Sequence, residues 1–410
     1  MEFGTGMEDM MNLNEMIEGM TEEMVEVRRQ IHRHPELSHE ESKTTEFVRE
    51  LLSGTSMEWR DPGTPTGLVG LMHGGAGDGP VLMLRADLDA LPLNEETGLP
   101  FASEQTGVMH ACGHDIHTTV LVGTALALDR IRDEWRGTVK FVFQPSEEKE
   151  GGAPELIDGG VLEDPKPDHA VCLHTWPITD AGKIGIRPGP MTAANDSFVV
   201  TVTGTGGHGA HPETAIDPIP VSEDIIDSFQ RIISRNLSPF DPAVITAGQI
   251  HGGTADNVIA KEVMFSGTIR TLAPNTRDYV KKRMEEIAFH TAAASGAEAN
   301  VTFSGGTPPV INDGPLVHVL ERSLIKSVGG ENIDHLEVPS MGSEDFAYYL
   351  EQVPGLLFRL GTGNDEDSRT RVGLHSPEIV FDERSIPTGI AAMSGFALEY
   401  LNKGMDGRLS

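Results

Sequence analysis

Cysteine is nearly absent from this 410-residue chain; Cys112 and Cys172 are its only two. Two thiols cannot build a disulfide framework, which points to a reducing interior. Long apolar runs are missing as well. None approaches the roughly 20 residues a membrane span needs. The opening Met1-Glu2-Phe3-Gly4-Thr5-Gly6-Met7 has neither the basic nor the apolar segment of a secretory signal. A cytoplasmic location is therefore expected, with Met1–Gly6 read as an addition ahead of a natural start at Met7.

Basic charge is scarce. Asp plus Glu number 63 against 31 Lys plus Arg, of which only 10 are lysine, for a net charge of -32. Such a field disfavours nucleic acid and anionic membranes as partners. It suits a salt-rich interior, where the Debye length shrinks to about 3 Å at 1 M, and it suits an ordinary acidic protein equally well. Aromatic content is low at 5%, yet 38% of residues are hydrophobic. That is enough, over this length, for two or three globular domains.

The first 190 residues alternate helix and strand patterns. Leu13, Met16, Ile17, Met20, Met24, Val27 and Ile31 recur at helical steps, and a second helical stretch runs from Ser42 to Leu52. Leu68–Met72 and Val81–Leu84 read as strands flanking a glycine-rich turn at 74–79. A helix is expected from Thr118 to Arg132, a strand at Val139–Phe143, a helix at Ala153–Gly159 and a strand at Ala170–His174. This alternation argues for an α/β layer.

The texture changes near residue 195. Strands at 197–203, 244–247, 263–270 and 299–303, with helices at 219–237 and 275–294, give the order βαββαβ. That order predicts a ferredoxin-like α+β module. Ser304-Gly305-Gly306-Thr307-Pro308-Pro309 reads as a hinge. The expected architecture is a discontinuous α/β domain, 7–194 and 306–410, with 195–305 inserted as a lid.

Chemistry concentrates at strand ends. The stretch Met109-His110-Ala111-Cys112-Gly113-His114-Asp115-Ile116-His117 sets a thiol two residues from an imidazole, in a loop beside Gly113. Gln144-Pro145-Ser146-Glu147-Glu148 places paired carboxylates directly after an apolar strand. Thiolate, imidazole and carboxylate together form the ligand set of a zinc-like divalent site. Two adjacent glutamates let one hold metal while the other moves a proton. His174 closes a third strand, and Cys172 shares its face, packed beneath the site. Asp87 ends the Val81–Leu84 run and is a candidate to orient an imidazole ligand, or simply to pair with Arg85. Gly204-Thr205-Gly206-Gly207-His208-Gly209 matches a dinucleotide fingerprint. Pro212 follows at once and no helix opens there, so a loop presenting His208 is the better reading.

These motifs, with Gly206-Gly207-His208-Gly209-Ala210 and Leu374-His375-Ser376-Pro377, resemble the M20 metallopeptidase family. The likeness is to its amidohydrolase branch of N-acyl-amino-acid and auxin-conjugate hydrolases. It runs from Arg28-Arg29-Gln30-Ile31-His32 through Ser343-Glu344-Asp345-Phe346 to His375. The resemblance implies a metallo-aminopeptidase-like catalytic domain and an inserted lid that forms a homodimer. It implies two divalent metal ions, zinc or manganese with cobalt or nickel as further options. Cys112 (bridging), His114, Glu148, His174 and His375 would be the ligands, and Glu147 the general base. His208 would help hold the oxyanion, and Asn257 and Arg270 would meet the substrate carboxylate. Glu213 stands where the family pattern has a histidine.

The expected reaction is hydrolysis of an N-acyl amino acid to a carboxylic acid and a free amino acid. Glu147 would take a proton from activated water and return it to the leaving amine. A dipeptidase or metallocarboxypeptidase on the same site is the alternative. A catalytically silent binding protein is the third reading, and retention of Glu147 and every expected ligand counts against it.

Overall fold

The computed structural model describes residues 8–149 and 151–405. The segment Met1–Gly6 lies outside the described residues. The chain forms two compact units. The first gathers the described residues up to Gly189 with Ile311–Val338 and the described residues from Tyr348 onward. The second comprises Pro190–Val310 with Pro339–Ala347.

An eight-stranded sheet organises the first unit. From edge to edge its strands are Glu58–Arg60, Leu68–His73, Thr138–Gln144, Val81–Asp87, His169–Asp180, Gly355–Gly363, Ile184–Ile186 and Ile333–His335. Val81–Asp87 lies parallel to both of its neighbours, and His169–Asp180 is parallel to Gly355–Gly363. The central strands are buried along almost their whole length, as expected of parallel strands covered on both faces. The two strands flanking the glycine-rich turn do not pair with each other. Thr138–Gln144 runs between them and pairs with both.

The helix expected from Thr118 begins at His114 and ends at Arg130. Its polar first turn (His114, Asp115, His117) carries no amphipathic period, because nearly every residue of the helix is buried. A helix buried all round gives no stripe to read. Gly113 makes this start possible. Its φ is +88°, and a Cβ there would lie 2.6 Å from Thr175 Oγ1, so only glycine fits.

The second unit has a four-stranded antiparallel sheet in the order Ala243–Gly252, Glu262–Thr271, Ala194–Thr203, Glu298–Thr307. Helices Pro218–Arg231 and Pro274–Ala294 pack against it over a core containing Phe198, Phe229, Phe265, Val280 and Met284. This is the ferredoxin-like order expected from βαββαβ. The hinge reading at 304–309 is corrected. The last strand continues through an irregularity after Ser304 as far as Thr307.

Among the described residues no helix is long and apolar enough to cross a membrane. Cys112 and Cys172 are both buried free thiols.

Candidate metal centre

Three adjacent parallel strands of the first unit deliver their C-terminal ends to one place, the usual ligand position in an open α/β sheet. Val81–Asp87 brings Asp87 and Asp89. Thr138–Gln144 is followed by Glu147 and Glu148, and His169–Asp180 carries His174. The start of the buried helix adds Cys112 and His114. His375 arrives from an irregular segment, with φ of +66° and its N–H donating to the Ala111 carbonyl at 2.9 Å.

The donor atoms of these side chains converge. Cys112, His114 and His174 present Sγ, N and N within 4.8 Å of one another, and so do Cys112, Glu148 and His375. Cys112 Sγ lies 3.5 Å from His174 Nε2. Glu148 Oε1 is 3.8 Å from His114 Nε2 and 3.5 Å from His375 Nε2. Both His114 Nε2 and Glu148 Oε1 are buried without a hydrogen-bond partner. Native structures rarely strand such atoms without an ion or water to satisfy them.

The tautomers are set by the other ring nitrogens. His174 Nδ1 donates to the Thr175 carbonyl at 2.8 Å, and His114 Nδ1 donates to the Asp89 carbonyl at 2.9 Å. Each ring is thereby turned so that its Nε2 faces the cluster. Charge is costly there. Burial, and after it the like charges of Asp89 and Asp87 against the pull of His114, push the Glu148 carboxyl up to about 7. Burial and then Glu148 push the Cys112 thiol well above its ordinary range. Burial, His117 and Arg359 hold His174 neutral, and burial with His114 does the same for His375. His114 goes the other way, since Asp87, Cys112 and Asp89 together outweigh the cost of its burial and hold it well above the ordinary imidazole range. A divalent cation would invert this logic, favouring thiolate and carboxylate, displacing the His114 proton and using His174 and His375 as they stand. The donor set fits such an ion.

Asp87 holds an imidazole outside the expected ligand set and also makes the alternative pairing with Arg85. Its Oδ1 receives His117 Nδ1 at 2.6 Å and its Oδ2 receives Arg85 at 2.6 Å. His117 Nε2 accepts the Thr175 N–H at 2.8 Å, so both its ring nitrogens are engaged and it is not a donor to the cluster. The expected ligand His114 is oriented by Asp89 instead. Asp89 Oδ1 accepts the Glu147 amide at 3.1 Å, and Oδ2 accepts the Glu148 amide at 3.0 Å. Sequence reasoning missed Asp89, His117 and Thr175. The one available signal was that Asp89 follows Asp87 by two residues, at the same strand end.

The other three expected residues lie in the second unit. His208 sits on a two-residue strand, Gly207–His208, paired with Val258–Ile259, and its Nδ1 accepts the Ala210 amide at 3.0 Å. That is a short ribbon rather than a bare loop. Asn257 abuts it, its carbonyl receiving Gly209 N at 2.9 Å. Arg270, on Glu262–Thr271, reaches Met341 O and Ser343 Oγ at 3.4 Å each. Glu213, the departure from the family pattern, lies 3.4 Å from His211.

A thiol, imidazoles and paired carboxylates gathered at the strand ends of an α/β sheet are the equipment of a hydrolytic enzyme. The model of Peptidase family M20/M25/M40 matches residues 83–399, and the chain belongs to that family. The N-acetyl-L-cysteine deacetylase of Bacillus subtilis (strain 168) is 38% identical over 367 residues, 90% of this chain and 85% of that one. Thermostable carboxypeptidase 2 of Saccharolobus solfataricus is 35% identical over 383 residues, 93% of this chain and 96% of that one. A solved Bacillus subtilis structure, a dinuclear metal-binding peptidase of the M20 family, superposes with a TM-score of 0.83 at 34% identity. It covers 94% of this chain and 99% of its own. The protein is thus an amide-bond hydrolase whose substrate is a small amide or peptide.

Proposed function

We propose that this protein hydrolyses the amide bond of N-acyl amino acids. The observation that carries the reading is the sharing of Cys112 between two donor triplets, one with His114 and His174 and one with Glu148 and His375. Cys112, His114, His174, Glu148 and His375 would hold two divalent cations. Mixed imidazole, carboxylate and thiolate donors favour zinc or manganese, with cobalt and nickel compatible. When bound, such ions acidify water and polarise a carbonyl oxygen.

The chain's own residues do the rest. Glu147, its amide anchored on Asp89, takes the proton of the attacking water and hands it to the departing nitrogen. His208 donates to the oxyanion. Arg270 offers a planar fork for the substrate carboxylate, with Asn257 beside it. In this reading the first unit is the catalytic domain, and the second unit, wider than the expected 195–305, is a lid that pairs with a second copy. Support for pairing comes from the sheet edge. Among the described residues Ala243–Gly252 has a strand partner on one side only, and Val244 and Ile250 are exposed on it. An uncovered apolar edge of this kind is a template for another chain.

The named activity of the Bacillus subtilis relative favours a small acyl group. That of the Saccharolobus solfataricus relative favours the second reading, a carboxypeptidase or dipeptidase on the same centre. A panel of acetyl-amino acids and dipeptides, run on metal-stripped and reloaded protein, separates them. Turnover of acetyl-amino acids that returns only with metal is expected. Cleavage of dipeptides alone would establish the second reading.

A further inference from the structure

The turn that presents Glu147 is gripped from outside by a residue with no role in the scheme above. Ser146, immediately before Glu147, has φ of +58°, and His39 has φ of +68°. Neither is glycine, so both sit in a backbone region that side chains disfavour. Such conformations persist only where the surroundings over-determine them, and they cluster at functional sites.

The surroundings here are explicit. Ser146 is fully buried. Its N–H donates to Glu41 at 2.8 Å, and its carbonyl accepts the Gly152 amide at 3.1 Å. Its hydroxyl meets His39 Nε2 at 2.9 Å. Gly152 is pressed against the same turn, since a Cβ there would fall 1.7 Å from the Pro145 carbonyl. His39 comes from the connection between helices Glu8–Arg33 and Ser42–Leu51. It lines a surface cavity of about 470 Å³ with Thr64, Glu155 and Asp158, its Nδ1 being 3.6 Å from Glu155. One imidazole thus spans from the surface to the residue that precedes Glu147.

We propose that His39 is a positioning residue for Glu147, acting through its hydrogen bond to the Ser146 hydroxyl. The bond holds Ser146 in the left-handed conformation that aims the following side chain. Release would let Ser146 relax toward an ordinary φ and swing Glu147 with it. Displacements of about 1 Å at a reacting group can cost roughly 100-fold in rate. The proposal rests on Glu147 being the general base.

The test compares four variants with Glu147→Gln as the control for that reading. His39→Gly tolerates the positive φ but removes the bond, whereas His39→Gln keeps a hydrogen-bonding group at similar reach. Positioning predicts that kcat falls about 10-fold or more in His39→Gly, with KM and bound metal unchanged. It predicts near-wild-type kcat in His39→Gln. Ser146→Ala should match His39→Gly, and the double variant should be no worse than either single one. Amide hydrogen exchange over 146–149 gives a readout independent of turnover. It should accelerate in His39→Gly and Ser146→Ala but not in His39→Gln. Activity surviving in Glu147→Gln would overturn the general-base reading, and exchange would then still decide whether His39 holds the turn. An inactive Glu147→Gln beside wild-type kcat and unchanged exchange in His39→Gly would overturn the proposal. So would fully additive losses in the double variant.

Discussion

The Asp89 carboxylate receives the Glu148 amide at 3.0 Å while the Asp89 carbonyl receives His114 Nδ1 at 2.9 Å. One residue therefore fixes two donors that come from different elements, the turn after Thr138–Gln144 and the start of His114–Arg130. The same carboxylate holds the Glu147 amide and the Ser38 hydroxyl. Burial alone would raise its pKa, but the His114 hydrogen bond and charge, with Ser38 and the Glu148 amide, keep it ionised below the usual range. Supports of this kind commonly contribute as much to a metal site as the ligands themselves.

Asp89→Asn tests that support. An amide can offer one carbonyl oxygen where the carboxylate offers two, so one of the two glutamate N–H groups loses its acceptor. Metal affinity should fall about 10–100-fold, measured by competition with a chromophoric chelator, with the circular dichroism spectrum retained. Unchanged affinity would show that Glu148 is held by other contacts.

How much of this was legible follows from what each residue's neighbours look like in one dimension. Glu147 and Glu148 stand out because a continuous apolar strand ends just before them. Cys112 stands out because thiols are so rare here. The helix start at His114 was hidden, since a helix buried on all faces has no polar stripe to mark its period. Asp87 and Asp89 cannot be ranked from sequence. Which carboxylate meets which imidazole depends on a strand end packing against a helix about 25 residues away. His375 sits in a segment with neither strand nor helix pattern, so only the family resemblance pointed to it. Its positive φ emerges only in three dimensions.

The paired glutamates should separate cleanly by substitution. Glu147→Gln keeps shape but cannot carry a proton, so kcat should fall by roughly 10²–10⁴ with metal content intact. Glu148→Gln removes a charged donor and should lose metal. Metal analysis beside single-turnover rates distinguishes them, and an exchange of the two phenotypes would reverse the assigned roles.

Lys140 gives a pH signature remote from the reaction. It is buried in the sheet, with Nζ donating to the carbonyls of Val161 and Glu163 at 2.7 and 2.6 Å. Burial, only partly offset by Asp164 and Glu163, lowers its pKa to about 8 from 10.5. Between those values the unfolded chain binds more protons than the folded one, so stability rises with pH across that window. The slope has a ceiling of about 1.4 kcal/mol per pH unit. Lys140→Met should abolish it. Urea unfolding of both proteins from pH 7 to pH 10 should show wild type gaining on the variant above pH 8. A constant difference would mean that the ammonium is well solvated.

Salt should stabilise the whole molecule. A net charge of -32 on 410 residues makes the folded state self-repelling, and folding concentrates that charge. Exposed ion pairs such as Arg231 with Asp227 and Arg60 with Glu58 work in the opposite direction. Each contributes about 0–1 kcal/mol and is weakened by screening. The unpaired acidic excess outweighs them, because every carboxylate without a basic partner gains when the Debye length falls from about 10 Å at 0.1 M to about 3 Å at 1 M. The melting temperature should therefore rise between 0.1 and 1 M potassium chloride. The rise should be much smaller for a variant in which exposed glutamates far from the site, such as Glu18, Glu22 and Glu285, are changed to glutamine along with others of their kind. Chloride is preferred to sulfate, since sulfate strengthens apolar burial on its own account. A melting temperature that stays level or falls would mean that paired charges, and not the net excess, set the electrostatic balance of this fold.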